Sequence, residues 1–187
     1  MRTFSTHTSH LRGHRPRAIV LSVGDESGID DAVAFLTTVT ELSCPVVVCP
    51  TPDIEVRLQA RLASVATAPC EDGRRLDEAA IWILPAGQLV TVHQDRWELT
   101  PHPAADHDAQ VGRLCSSLKA SYRSRVFLIC TGHGLERNPL VRLLVQRGAP
   151  LVETRDRPGR GLADHAPVNE IVAHLEASVG IIRKASA

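Results

Sequence analysis

The chain reads as a doubly wound α/β domain, a mostly parallel sheet flanked by helices, with an antiparallel hairpin inserted in it. Three observations lead there. Short uninterrupted apolar runs, AIVLSV (18–23), PVVVC (45–49) and RVFLIC (125–130), have the character of strands buried on both faces. Segments with helical spacing of apolar residues separate them. One stretch, IWILPAGQLVTVHQDRWELT (81–100), instead alternates in short pieces joined by turn residues. Strand–helix alternation of this kind builds a parallel sheet covered on both sides.

Taken in order, AIVLSV is the first strand and IDDAVAFLTTVTEL (29–42) the first helix, with Ala32, Val33, Leu36, Val39 and Thr40 on one face. PVVVC is the second strand, ended by Pro50-Thr51-Pro52, and IEVRLQARLASV (54–65) is a helix with its arginines turned outward. In the 81–100 stretch the strands are Ile81–Leu84, Leu89–Val92 and Trp97–Leu99, joined by Pro85-Ala86-Gly87 and Gln94-Asp95. PHPAADHD (101–108) is a polar connection, VGRLCSSLKASY (111–122) a helix and RVFLIC a strand. PLVRLLVQRG (139–148) has Pro at its first helical position and Gly just past its end, the expected asymmetry. PLVET (150–154) is a last strand, RDRPGRGLADHAP a glycine-rich loop and 168–177 a closing helix. Residues 1–16, bearing all but the last residue of the basic run THTSHLRGHRPR (6–17) with Gly13 and Pro16 inside it, read as a flexible polar tail ahead of a domain over 17–187.

Composition narrows the function. With 187 residues, 43% of them hydrophobic, the chain can bury a full core, built from Val, Leu, Ile and Ala because aromatics supply only 3%. Twenty-one basic and 21 acidic residues give a formal net charge of zero, which excludes a broad footprint for nucleic acid or an anionic membrane. No run approaches the roughly 20 apolar residues of a membrane span, and the start lacks the apolar core of a secretory signal. Five cysteines, none in a C-x-x-C pair, read as reduced thiols of a cytoplasmic protein. Of the nine histidines, the H-x-x-x-H pair His10 and His14 falls in the polar lead-in, and neither a metal nor a cofactor is expected. His102, His107 and His165 fall in polar loops and read as solvated.

Sites in such sheets are assembled from loops at the carboxyl ends of the strands. Here those loops are GDESG, CPTPD, TGHGLERN and RDRPGRGLADHAP. In that order they resemble the catalytic domain of the CheB chemotaxis protein-glutamate methylesterases. Val23-Gly24-Asp25-Glu26-Ser27-Gly28 is similar to the opening I-G-A-S-x-G, and Val46-Val47-Val48-Cys49-Pro50-Thr51-Pro52 to V-V-V-Q-H-x-P. Asp72-Gly73-Arg74-Arg75-Leu76 followed by ILPAGQLVTVHQDRWEL looks like the family's D-G-x-x-L and hairpin, and QVGRLCSS like its S-V-D-x-L-F-x-S. Cys130-Thr131-Gly132-His133-Gly134-Leu135-Glu136-Arg137 falls on L-T-G-M-G-x-D-G, and Arg155-Asp156-Arg157 with Ala166-Pro167 on Q-D-P and M-P. The likeness runs from about residue 18 to residue 175. Members of the family usually carry a receiver domain ahead of this one; 17 residues precede the first strand here.

The resemblance implies an ester-cleaving site in which a serine attacks, a histidine takes its proton and an aspartate orients the histidine. Carried over, the serine position is Glu26, the histidine position Pro50 and the aspartate position Glu136. All are substituted, and a proline offers no ionisable group and no N–H. The domain is therefore read as an inactive, binding or regulatory relative in chemotaxis-type signalling, with a chemoreceptor or another signalling protein as partner and a homodimer as a further option. The alternative is an active methylesterase or glutamine deamidase with rearranged groups, using Ser27 or Cys49 with His133 and Glu136. Ser27 also reads as the N-cap of a helix beginning at Ile29, and Cys49 as a small core side chain. Glu26 with Glu136 could form a carboxylate pair or bridge a divalent ion. Arg155, Arg157 and Arg160 are an anion candidate whose plainer reading is a solvated loop. TGHGLERNP lacks the G-K-[ST] ending of a nucleotide loop.

Overall fold

The computed structural model describes residues 17–41, 44–76, 80–103, 106–132, 151–154 and 182–183. The tail over 1–16, the turn from His133 with Glu136, the helices expected at 139–148 and 168–177, the arginine loop over 155–160 and His165 lie outside the described residues.

Strand β1 (Ala18–Val23) is buried along its whole length. It pairs in parallel with β3 (Val46–Pro50) on one side and β8 (Val126–Thr131) on the other, placing Ser22 between Cys49 and Cys130, and Val23 between Pro50 and Thr131. Outside these lie β5 (Ile81–Ile83) and the edge strand β4 (Thr67–Pro69) in one direction and β9 (Leu151–Thr154) in the other. All neighbours in this six-stranded sheet are parallel. The expected doubly wound sheet is therefore present.

Side chains alternate across the sheet, so each strand feeds two cores. Ile19, Leu21, Val46, Val48, Phe127 and Ile129 pack with α1 (Glu26–Thr38) and α2 (Glu55–Arg61) through Ile29, Phe35 and Leu58. Ala18, Val20, Val47, Leu128 and Cys130 face the other way, against α3 (His107–Tyr122) and the hairpin of β6 (Gln88–His93) and β7 (Arg96–Pro101). Val90, Val92 and Trp97 fill that layer, and Trp97 meets Trp82 edge to face, with ring centroids 5.4 Å apart. The hairpin turns through Gln94 and Asp95, both at positive φ (48° and 61°), the backbone a two-residue turn demands.

Several elements depart from the sequence reading. Helix α1 starts at Glu26 rather than Ile29, because Asp25 is the cap: its carboxylate accepts the Gly28 N–H at 3.0 Å. Ser27 is not the cap; its hydroxyl donates to the same carboxylate at 2.7 Å. The helix ends at Thr38, and Val39–Glu41 forms a short strand antiparallel to Ile182–Arg183. The β-branched run Thr37-Thr38-Val39-Thr40 favours that exit, and the Thr37 hydroxyl already bonds back to the Val33 carbonyl at 2.7 Å. Ile81–Ile83 does not belong to the antiparallel excursion; it inserts in parallel between β3 and β4, a non-local pairing that a local pattern does not encode. Strand β4 was not foreseen, being three residues long and ending in a proline that only an edge tolerates. Among the described residues no helix is long and apolar enough to cross a membrane.

Candidate functional site

The carboxyl ends of β1, β3 and β8 are locked together by backbone. Gly24 N–H donates to the Thr131 carbonyl at 2.9 Å, and Thr51 N–H to the Val23 carbonyl at 3.1 Å. The start of α1 sits hard on the end of β8: a Cβ at Gly28 would lie 2.6 Å from the Thr131 oxygen. Gly132 turns away at φ +84°, where a side chain would strike the Asp25 carboxylate. A chain that must pass this closely can only be glycine at both places.

At the turn after β1, Glu26 points into water and pairs with Arg57 at 2.6 Å, both side chains being more than half exposed. Such a surface pair contributes little to stability. Pro50 closes β3, buried and opposite Val23. The neighbouring Ser27 hydroxyl is engaged by Asp25. Cys49 is fully buried among apolar neighbours; its thiol is held well above the ordinary range, first by burial and then by the nearby thiols of Cys115, Cys70 and Cys130. A thiol so placed stays protonated and packs as a core group. His133 and Glu136, the remaining members of the rearranged arrangement and of the carboxylate pair, lie outside the described residues.

The residue that sequence reasoning missed is His107. Read as solvated, it is instead the first residue of α3, part-buried against the strand ends. Asp106 caps the helix by accepting the Ala109 N–H at 2.6 Å, and so carries the helix back past Val111 to His107. An aspartate just before the apolar periodicity was the available signal. The imidazole Nε2 lies 3.0 Å from the Cys49 carbonyl oxygen and 3.3 Å from the Ser22 hydroxyl. On the other side of the ring, Nδ1 is 3.7 Å from the Asp108 carboxylate.

A serine, a histidine and an aspartate thus meet, but the tautomer is wrong for catalysis. A carbonyl oxygen only accepts, so the 3.0 Å contact is a hydrogen bond when Nε2 carries the ring proton, and an Nε2 in that state cannot take the Ser22 proton. The Ser22 hydroxyl is moreover 1% exposed, on the inner face of the central strand. The cluster fastens α3 to the sheet. It sits at the Cys49 carbonyl, one residue before Pro50 at the end of β3.

Five free cysteines stand among the described residues, with no disulfide, and no three His, Cys, Asp or Glu side chains there converge on a point that could hold a metal ion. Among them His102 is exposed.

No protein-family model matches the chain, and no curated protein does. A solved structure does: the catalytic domain of the CheB methylesterase of Thermotoga maritima, with a TM-score of 0.59 over 74% of this chain and 79% of that one, at 15% identity. The chain has a CheB methylesterase-like α/β fold.

Proposed function

We propose that this chain is a catalytically silent CheB-like module of a bacterial chemotaxis-type signalling system, acting in the cytoplasm by binding rather than by turnover. One observation carries the reading. The single imidazole that meets a hydroxyl among the described residues has its Nε2 3.0 Å from a backbone carbonyl, which only accepts, and the hydroxyl it meets, on Ser22, is 1% exposed. General-base activation of a serine needs the opposite arrangement, a lone pair aimed at an exposed hydroxyl. The substitutions Glu26 and Pro50 support the same view: one is an acid paired with Arg57, the other a ring with no proton to exchange. The preserved strand ends still offer a surface for a receptor helix or another signalling protein, an argument from analogy with the fold.

The test is methanol release from a methylated chemoreceptor cytoplasmic domain, run beside a binding measurement on the same receptor. Binding without methanol release above background is the expected result. Turnover that disappears in Ser27→Ala or Cys49→Ala would replace this reading with an active esterase using rearranged groups.

A further inference from the structure

We propose that the opposite end of the sheet carries a second site, an arginine-lined cleft that binds a phosphorylated small molecule. Arg17 and Pro45 directly precede β1 and β3, so the cleft they line with Arg74, Arg75, Asp95 and Tyr122 opens at the amino ends of the strands. It is therefore remote from the loops that hold Glu26 and Pro50, and its case is independent of theirs. Its volume of about 420 Å³ lies within the span of small-molecule sites.

Charge singles it out. In a chain with 21 basic and 21 acidic residues, the described residues that line this hollow include three arginines and one carboxylate, Asp95. That carboxylate already accepts the Tyr122 hydroxyl at 2.6 Å. A concave surface of one sign concentrates counter-ions more strongly than a flat one.

The backbone that carries Arg74 and Arg75, and the guanidiniums of Arg74 and Arg17, are held in place before any ligand arrives. The segment bearing Arg74 and Arg75 is strapped to the hairpin: Gly73 N–H donates to the Trp97 carbonyl at 2.8 Å, Trp97 N–H to the Arg74 carbonyl at 2.9 Å, and Leu76 N–H to the Asp95 carbonyl at 2.8 Å. The Arg96 guanidinium braces the bend by donating to the Gly73 carbonyl at 2.7 Å. Arg74 lies over the Trp82 ring, 5.0 Å from its centroid, and Arg17 over Tyr122 at 5.8 Å. A guanidinium carries its N–H donors in one plane, in the fork that grips two phosphate oxygens. The exposed Glu71, 3.7 Å from Arg74, is a weak competitor. The aromatic faces are occupied by the arginines, which leaves no platform for a nucleobase and favours a compact phosphate ester or pyrophosphate.

Calorimetric titration of the full chain with inorganic pyrophosphate tests the assignment. Saturable one-to-one binding is expected, weakened about tenfold or more by Arg75→Gln and unchanged by Arg113→Gln, an exposed arginine of α3 that does not line the cleft. Arg17→Gln gives a second reading from the same cleft if the first variant fails to fold. Three results would overturn the proposal: no saturable binding at millimolar pyrophosphate, equal weakening by the cleft and control variants, or tighter binding of citrate than of pyrophosphate.

Discussion

Replacing His107 by alanine removes the side chain that fastens the first turn of α3 to the end of β3. The lost bond, 3.0 Å from Nε2 to the Cys49 carbonyl, is part-buried, and the Ser22 hydroxyl beside it at 3.3 Å is almost wholly enclosed. A net hydrogen bond contributes about 1 kcal/mol, and leaving a buried partner unsatisfied costs roughly 1–3 kcal/mol. We therefore expect a loss of about 2 kcal/mol, seen in urea unfolding and as a fall in Tm of about 4–8 °C for a domain of this size. His107→Phe, which keeps bulk but has no donor, should lose about as much. His107→Gln, which restores an N–H, should recover roughly half. A phenylalanine variant as stable as the parent would refute the reasoning, since bulk alone would then explain the residue. So would a parent protein that releases methanol from receptor esters and loses that activity in His107→Gln, because the ring would then be doing chemistry.

The other expectations concern packing and thiols. Gly28→Ala should destabilise by about 1–3 kcal/mol despite alanine's better helix propensity, because the new Cβ would meet the Thr131 carbonyl at 2.6 Å and the Gly132 nitrogen at 2.9 Å, backbone atoms that cannot yield; a thermal melt at or above the parent's would contradict this. Burial pushes the thiols of Cys115 and Cys70 up to about 12 from an ordinary value of 9.0. Raised folded-state values mean that unfolded thiols ionise first, so this contribution is intact below pH 9 and is lost as pH climbs from about 9 towards 12. Denaturant midpoints measured across that range should fall, with a smaller fall in Cys115→Ala. At pH 8 Cys49 and Cys115 should react with a disulfide reagent only after denaturant is added; prompt labelling of either in the native protein would contradict their burial.

The central strands were legible because a strand buried on both faces must be apolar at every position, and AIVLSV, PVVVC and RVFLIC are the runs of that kind that became β1, β3 and β8. The hairpin turn was legible from Gln94-Asp95, a polar pair set between alternating runs, of which Asp95 is a type that tolerates positive φ. The place of Ile81–Ile83 was not, since an apolar triplet does not say which neighbour it will pair with across the sheet. Nor was the short strand at Thr67, where proline and length hide an edge.

At the site, the sequence by itself determined that the loops after β1 and β3 carry a carboxylate at Glu26 and a proline ring at Pro50, identities that no folding can alter. Only the tertiary structure decided what the nearby groups do. It brought His107 to Ser22 across 85 residues of chain and set a carbonyl oxygen, which only accepts, 3.0 Å from Nε2. It likewise gathered Arg17 with Arg74 and Arg75 around one hollow. The physical reason is the same in both cases. Residue type fixes which protons and charges a group can carry, while distance and burial, which arise only when remote segments pack, fix where those protons sit and which charges act together.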